Sequence, residues 1–188
     1  MDPQTYLAER IKALEPELHS GDLQFQRSNL AFLNVDQAVL VSALTRLRHE
    51  AGFTHLVLLT AVDWIESARF QLTYLLHNPQ YHLDLGVRVR IGRENPSMRS
   101  IHHLWPTAAT YQRELKEMFG IDFPGSPRVD QPLILEGWID IPPYRRDFDT
   151  LKYSQKTYFP RPGRSSQDPE THMREKLYPE RGDDHDPA

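Results

Sequence analysis

His82-Leu83-Asp84-Leu85-Gly86-Val87-Arg88-Val89-Arg90-Ile91 alternates side chains, with Leu83, Leu85, Val87, Val89 and Ile91 set against His82, Asp84, Arg88 and Arg90. Successive side chains of a strand point to opposite faces, so this stretch reads as a strand with one dry and one wet face. Working back along the chain, Phe70 to Leu76 reads as a second strand. Thr54 to Ile65, with its Leu56-Val57-Leu58-Leu59 run, reads as a third. The connections Glu66-Ser67-Ala68 and His77-Asn78-Pro79-Gln80 are short and turn-rich. Parallel neighbours need a crossover of a dozen or more residues, so antiparallel pairing is expected here. The fold class that follows is α+β: a mainly antiparallel sheet with helices packed on one face. No G-x-G-x-x-G phosphate loop is present, which leaves a dinucleotide-binding fold without support.

The helices are legible from spacing and caps. Asp2 before Pro3 fits an N-cap followed by a first-turn proline, and Leu7, Ile11, Leu14 and Leu18 recur at helical intervals, which predicts a helix from Pro3 to Leu18. Leu23 with Phe25, and Ala31-Phe32-Leu33, flank a polar Arg27-Ser28-Asn29 turn as in a hairpin. Asp36 is expected to cap a second helix whose apolar positions are Val39, Leu40, Leu44 and Leu47. A third helix is expected from Thr107 to Phe119, with Gly120 as its left-handed C-terminal residue. Arg113 and Glu117 lie four apart on it and can pair on its surface, for about 0.2–0.5 kcal/mol.

Composition excludes several classes of function. The chain has 188 residues, 39% of them hydrophobic, which suffices for one compact domain and an appendage. The domain is placed at residues 1–149, and an extended, proline-rich C-terminal arm at 150–188 with its last ten residues frayed. The net charge of −4 argues against a nucleic-acid partner, which calls for a basic stripe. Without cysteine, the chain itself cannot supply a thiolate zinc site, an iron–sulfur cluster or a cysteine nucleophile. The longest apolar run, near Leu56 to Val62, is far shorter than the ~18 residues that span a bilayer. The N-terminus shows no basic region followed by an apolar one, so the chain is expected to be soluble.

Three separated elements carry a resemblance: Trp105-Pro106, the run Gln112-Arg113-Glu114-Leu115-Lys116-Glu117-Met118-Phe119-Gly120-Ile121, and Pro143-Tyr144-Arg145-Arg146-Asp147-Phe148. In order and spacing they resemble the thirty-kilodalton subunit of respiratory complex I, known in bacteria as its C subunit. The similarity runs from about Leu23 to Phe148 and takes in Ala61-Val62-Asp63-Trp64. Gln112 stands where the family carries a first Glu, which keeps hydrogen-bonding capacity and removes a charge. Gly125-Ser126-Pro127 stands where the family carries Gly-His-Pro.

The resemblance implies a cofactor-free accessory subunit of a proton-translocating NADH:quinone oxidoreductase. Such a subunit packs in the peripheral arm against the large D subunit, near the quinone site, on the cytoplasmic side of the membrane. Iron–sulfur clusters and quinone are then expected in partner subunits, with membrane contact only through the complex. Arg113, Glu114 and Glu117, with Arg145, Arg146 and Asp147, are the expected subunit-interface residues. A related membrane-bound nickel–iron hydrogenase carries an equivalent subunit, which is the alternative within this class.

The rival of another class is a stand-alone metal-dependent enzyme. His102-His103 is its first candidate, but adjacent residues of an extended chain point apart, and no H-x-x-x-H or H-E-x-x-H spacing accompanies them. His82 with Asp84 could share a sheet face, and Asp63 lies near a strand end; no third catalytic group is identifiable beside them. Arg145-Arg146 and Arg161 with Arg164, near Tyr158 and Phe159, are the residues a nucleic-acid reading would use.

Overall fold

A computed structural model of the chain describes residues 2–18 and 23–158. The chain divides into two compact units, Met1–Phe148 and Asp149–Ala188. In the first, α1 (Pro3–Leu18) is followed by β1 (Gln24–Arg27), β2 (Leu30–Asn34), α2 (Leu40–His49), β3 (His55–Trp64), β4 (Arg69–Asn78), β5 (Leu83–Gly92) and α3 (Ala108–Phe119). A single turn of 3-10 helix, Ile65–Ser67, joins β3 to β4.

The sheet has the order β1-β2-β5-β4-β3. The β3–β4 and β4–β5 pairs are antiparallel, as their short connections require, and β1–β2 is the expected hairpin. One pairing is parallel: β2 lies beside β5, with Leu33 opposite Val87. The fold is therefore α+β with a mixed, mostly antiparallel sheet. Inner-face residues Phe70, Leu72, Tyr74 and Leu76 of β4 and Leu83, Leu85, Val87, Val89 and Ile91 of β5 are all buried. They form one core with Leu40, Ala43, Leu44 and Leu47 of α2 and Leu115, Met118 and Phe119 of α3. The alternation in β5 thus does what its period predicts: one face is sealed by helices and the other is left outside.

Local chemistry sets the element ends. Asp2 caps α1, its carboxylate accepting the amides of Gln4 (3.2 Å) and Thr5 (3.3 Å). Tyr6 of α1 stacks on Tyr81 at 3.8 Å and donates to the carbonyl of Ala51 (3.2 Å), which ties the helix to the loops after α2 and β4. Gly120 ends α3 at φ 76°, its amide returning to the last-turn carbonyls. The second helix starts one turn later than expected. Asp36 heads a turn, its carbonyl accepting the amide of Val39, and the helix begins at Leu40 without a side-chain cap.

The second unit also departs from expectation at its start. The segment from residue 150, expected to be extended, opens as a helix, α4 (Thr150–Tyr158). Asp149 caps it through its side chain to the amide of Lys152 (2.9 Å), and no proline intervenes before Pro160. The rest of the expected arm and its frayed end, with Phe159, Arg161 and Arg164, lie outside the described residues.

Candidate subunit interface

After α3 the chain leaves regular structure, and residues 123–148 run as a strap without helix or strand. Its prolines and glycines, among them Pro132, Gly137, Pro142 and Pro143, deny it a periodic hydrogen-bond pattern. Side-chain carboxylates do the holding instead. Glu117 of α3 accepts the backbone amides of Leu133 (3.0 Å), Ile134 (3.0 Å) and Leu135 (2.7 Å). One carboxylate thereby satisfies three successive amides that have no strand partner. Lys116, beside it, bonds Asp122 at 2.7 Å and also Asp130, and these two acids raise its pKa.

The far end of the strap docks on a second acid. Asp63, near the end of β3, is 1% exposed at its side chain and accepts the Nε of Arg93 (2.9 Å), its Nη2 (3.1 Å) and the backbone amide of Arg146 (2.9 Å). Arg93 also bonds Asp147 (2.7 Å), whose carboxylate lies 3.4 Å from Arg145. Burial works against the charged form of both acids. For Asp63 the Arg93 guanidinium and the Arg146 amide outweigh it, and for Asp147 the two arginines and its own amide do, so both pKa values fall below the ordinary carboxylate value. The same contacts push Arg93 up, further from losing its charge. Arg146 reaches Glu66 at 2.6 Å on the surface. Aromatic contact completes the docking: Phe119 meets Phe70 and Tyr144 edge-on, at 6.0 and 5.7 Å.

Between its two anchors the strap turns apolar side chains outward. Ile139 is 99% exposed, Ile134 70% and Tyr144 59%, with Ile141 also exposed. Large apolar groups exposed on one segment in this way make the strap a candidate interaction surface.

The six residues read as interface residues are placed as follows. Glu117, Arg145, Arg146 and Asp147 hold the strap within the chain. Arg113 and Glu114 are half-buried on α3 and form no ion pair among the described residues, so the expected Arg113–Glu117 pair is replaced by the grip of Glu117 on the strap. The Nε of Arg113 is buried and without a partner among the described residues. Gln112 is fully buried and accepts from Ser100 (2.7 Å), at a place where a carboxylate would lose its water.

Arg93 and Glu66 are the participants the sequence reading missed. Register is the signal that finds Arg93: Asp63 faces Phe70, Phe70 faces Ile91, and Arg93 follows two places on. The histidine candidates go elsewhere. Asp84 pairs with His77 across the hairpin at 2.8 Å while His82 sits in the turn at φ 49°, and His102 lies 3.1 Å from Ser100. Among the described residues, no group of three or more His, Asp or Glu side chains is placed to hold a metal, and no helix is long and apolar enough to cross a membrane.

These features define a class: an α+β scaffold module whose charged residues fasten an apolar-tipped strap. Residues 33–154 match the family described as the respiratory-chain NADH dehydrogenase 30 Kd subunit, and the chain belongs to that family. The C subunit of the NADH-quinone oxidoreductase of Roseiflexus sp. (strain RS-1) is 31% identical over 148 residues, covering 78% of this chain and 84% of that one. In Pseudomonas fluorescens (strain SBW25), the C/D subunit of the NADH-quinone oxidoreductase is 29% identical over 157 residues, which cover 78% of this chain and 26% of that longer protein. Among solved structures, a chain of the membrane-bound sulfane sulfur reductase, an archaeal respiratory membrane complex, superposes with a TM-score of 0.74 at 26% identity, over 82% of this chain and 90% of that chain. The family places this chain among the subunits of complex-I-type oxidoreductase assemblies.

Proposed function

We propose that the chain is an accessory subunit, without a redox cofactor of its own, in the peripheral arm of a membrane-attached NADH:quinone oxidoreductase. It binds a homologue of the large D subunit on the cytoplasmic side, near the quinone site, while iron–sulfur clusters and quinone reside in partner subunits. The observation that carries this reading is the strap, anchored through Glu117 and Asp63 and exposing Ile134, Ile139, Ile141 and Tyr144. In the docked state Arg145, Arg146 and Asp147 position the strap, and Arg113 and Glu114 offer charges that no described residue of this chain neutralises. The relative with a C/D name supports physical adjacency, because a single polypeptide would keep the two parts together.

The archaeal sulfane sulfur reductase favours a second reading of the same kind: an equivalent subunit in a related membrane complex fed by a donor other than NADH, the nickel–iron hydrogenases among them. One purification tests both. The tagged chain, drawn from its native membranes in mild detergent, is expected to bring a D-type large subunit and cluster-bearing partners. NADH-binding subunits among them support the first reading, and nickel-site cysteines or a sulfur reductase the second. Ile139→Asp with Tyr144→Ala is expected to lower recovery of the D-type subunit by about tenfold or more, in line with loss of buried interface anchors. Recovery of the wild-type chain alone, as a monomer, would overturn both.

A further inference from the structure

The outer face of the sheet is the larger feature that the strap leaves unused. Register builds it row by row. Trp64, Arg69 and Gly92 form one row, Val62, Gln71 and Arg90 the next, then Thr60, Thr73, Arg88 and Asn34, then Leu58, Leu75, Gly86 and Phe32. Arg69, Arg90 and Arg88 therefore lie on a diagonal across β4 and β5. Beside them, edge strand β3 exposes Leu58, Val62 and Trp64 at 41, 43 and 44%.

None of the three arginines forms an ion pair among the described residues, and the Nε of Arg88 is buried without a partner among them. With Asn34, Asp36 and Gln37 they line one cavity of about 410 Å³, where a single carboxylate faces three guanidiniums. The arrangement is built rather than incidental. The Arg88 guanidinium lies 3.7 Å from the centre of the Phe32 ring, and that ring lies where a Cβ on Gly86 would come within 2.4 Å of it. Gly86 leaves room for Phe32, and Phe32 holds Arg88 in place.

In a chain whose net charge is −4, three cations gathered on one sheet face reverse the sign of the charge locally, and a positive patch of this kind is complementary to a negative partner. We infer that the outer face, through Arg69, Arg88 and Arg90 with the apolar edge Leu58, Val62 and Trp64, is a second docking surface, and that it receives an acidic, partly apolar polypeptide segment of a neighbouring protein. Guanidiniums recognise carboxylates by paired hydrogen bonds, and the apolar stripe beside them selects a polypeptide over a bare anion. This surface does not include the strap, so the inference stands apart from the proposed contact with the large D subunit.

A photo-reactive benzoylphenylalanine at Thr73, opposite Arg88 on the outer face, and a second one at Ile139 on the strap test the two surfaces separately in the intact complex in native membranes. The Thr73 probe is expected to label a segment of another protein that holds more Asp and Glu than Lys and Arg. Arg69→Glu with Arg90→Glu is expected to reduce that product by about tenfold while leaving the Ile139 product unchanged, as like charges replace attraction. Both arginines are exposed, so unchanged thermal unfolding of the double variant separates lost docking from lost folding. An Ile139 product without a Thr73 product would overturn this inference and leave the subunit reading intact. Labelling at Thr73 of lipid, nucleic acid, a second copy, residues 159–188 of the same chain, or a neutral or basic segment would equally overturn it. Loss of both products would remove both proposals.

Discussion

Arg88, Arg90 and Arg93 fall within six residues of one another and Arg69 lies opposite Gly92 across the sheet, yet the two faces treat Arg93 differently from the trio Arg69, Arg88 and Arg90. Arg93 is gripped by Asp63 and Asp147 and is nearly covered, at 14% side-chain exposure. The outer three have no carboxylate partner among the described residues. Ionic groups that are paired inside the chain set its geometry, because removing one partner strands the other away from water. Charges left unpaired at the surface are available to something else. The comparison separates residues that shape this protein from residues that present it.

The sharpest way to break that contrast is Asp63→Ala. It deprives Arg93 and the Arg146 amide of their acceptor together, and a loss of about 3–5 kcal/mol is expected by urea unfolding, the range for a broken buried pair. Acid tests the same cluster. The pKa values of Asp63 and Asp147 are lower in the native than in the unfolded protein, so their stabilisation is complete above the unfolded carboxylate value near pH 4. It is lost as pH falls through the native values. Wild-type stability is expected to drop below about pH 4 more steeply than that of Asp63→Asn, in unfolding curves collected from pH 6 to 2.

Glu117→Ala is expected to cost less, about 1–3 kcal/mol, since the three freed amides are close enough to the surface to find water. Its signature is local: proteolysis between residues 131 and 141 should quicken before the sheet opens. The smallest effect is expected on the outer face. Arg69→Gln with Arg90→Gln should leave stability within about 0.5 kcal/mol by thermal unfolding, because exposed and unpaired charges contribute little to the fold. A larger loss there would mean that the two faces do not differ in kind.

Periodic signals told most of the architecture. The alternation through Leu83 to Ile91, the short turns on either side of β4 and the Gly120 cap each depend on neighbours within a few residues, and each was legible. What escaped depends on distance in sequence. Nothing local in Leu30–Asn34 says that it will lie parallel to β5. The six interface residues were marked by a motif, but that Arg146 and Asp147 work within the chain follows only once Asp63 and Arg93 are brought to the same end of the sheet. Asp84 could be put on a face from its period, yet His77 rather than His82 is its partner, because the hairpin turn carries His82 out of register.

The parallel seam between β2 and β5 also imposes a timetable. Leu33 and Val87 are more than fifty positions apart, whereas the β3–β4 and β4–β5 hairpins close over short turns. Bringing distant segments together costs more chain entropy before any contact rewards it, so the hairpins are the natural nucleus and β2 their late addition. On the ribosome, β1 and β2 emerge first but have no edge to join until β5 has been made. The amino-terminal hairpin therefore spends the synthesis of some fifty residues with its strand edges uncovered, the interval in which a chaperone has most to protect.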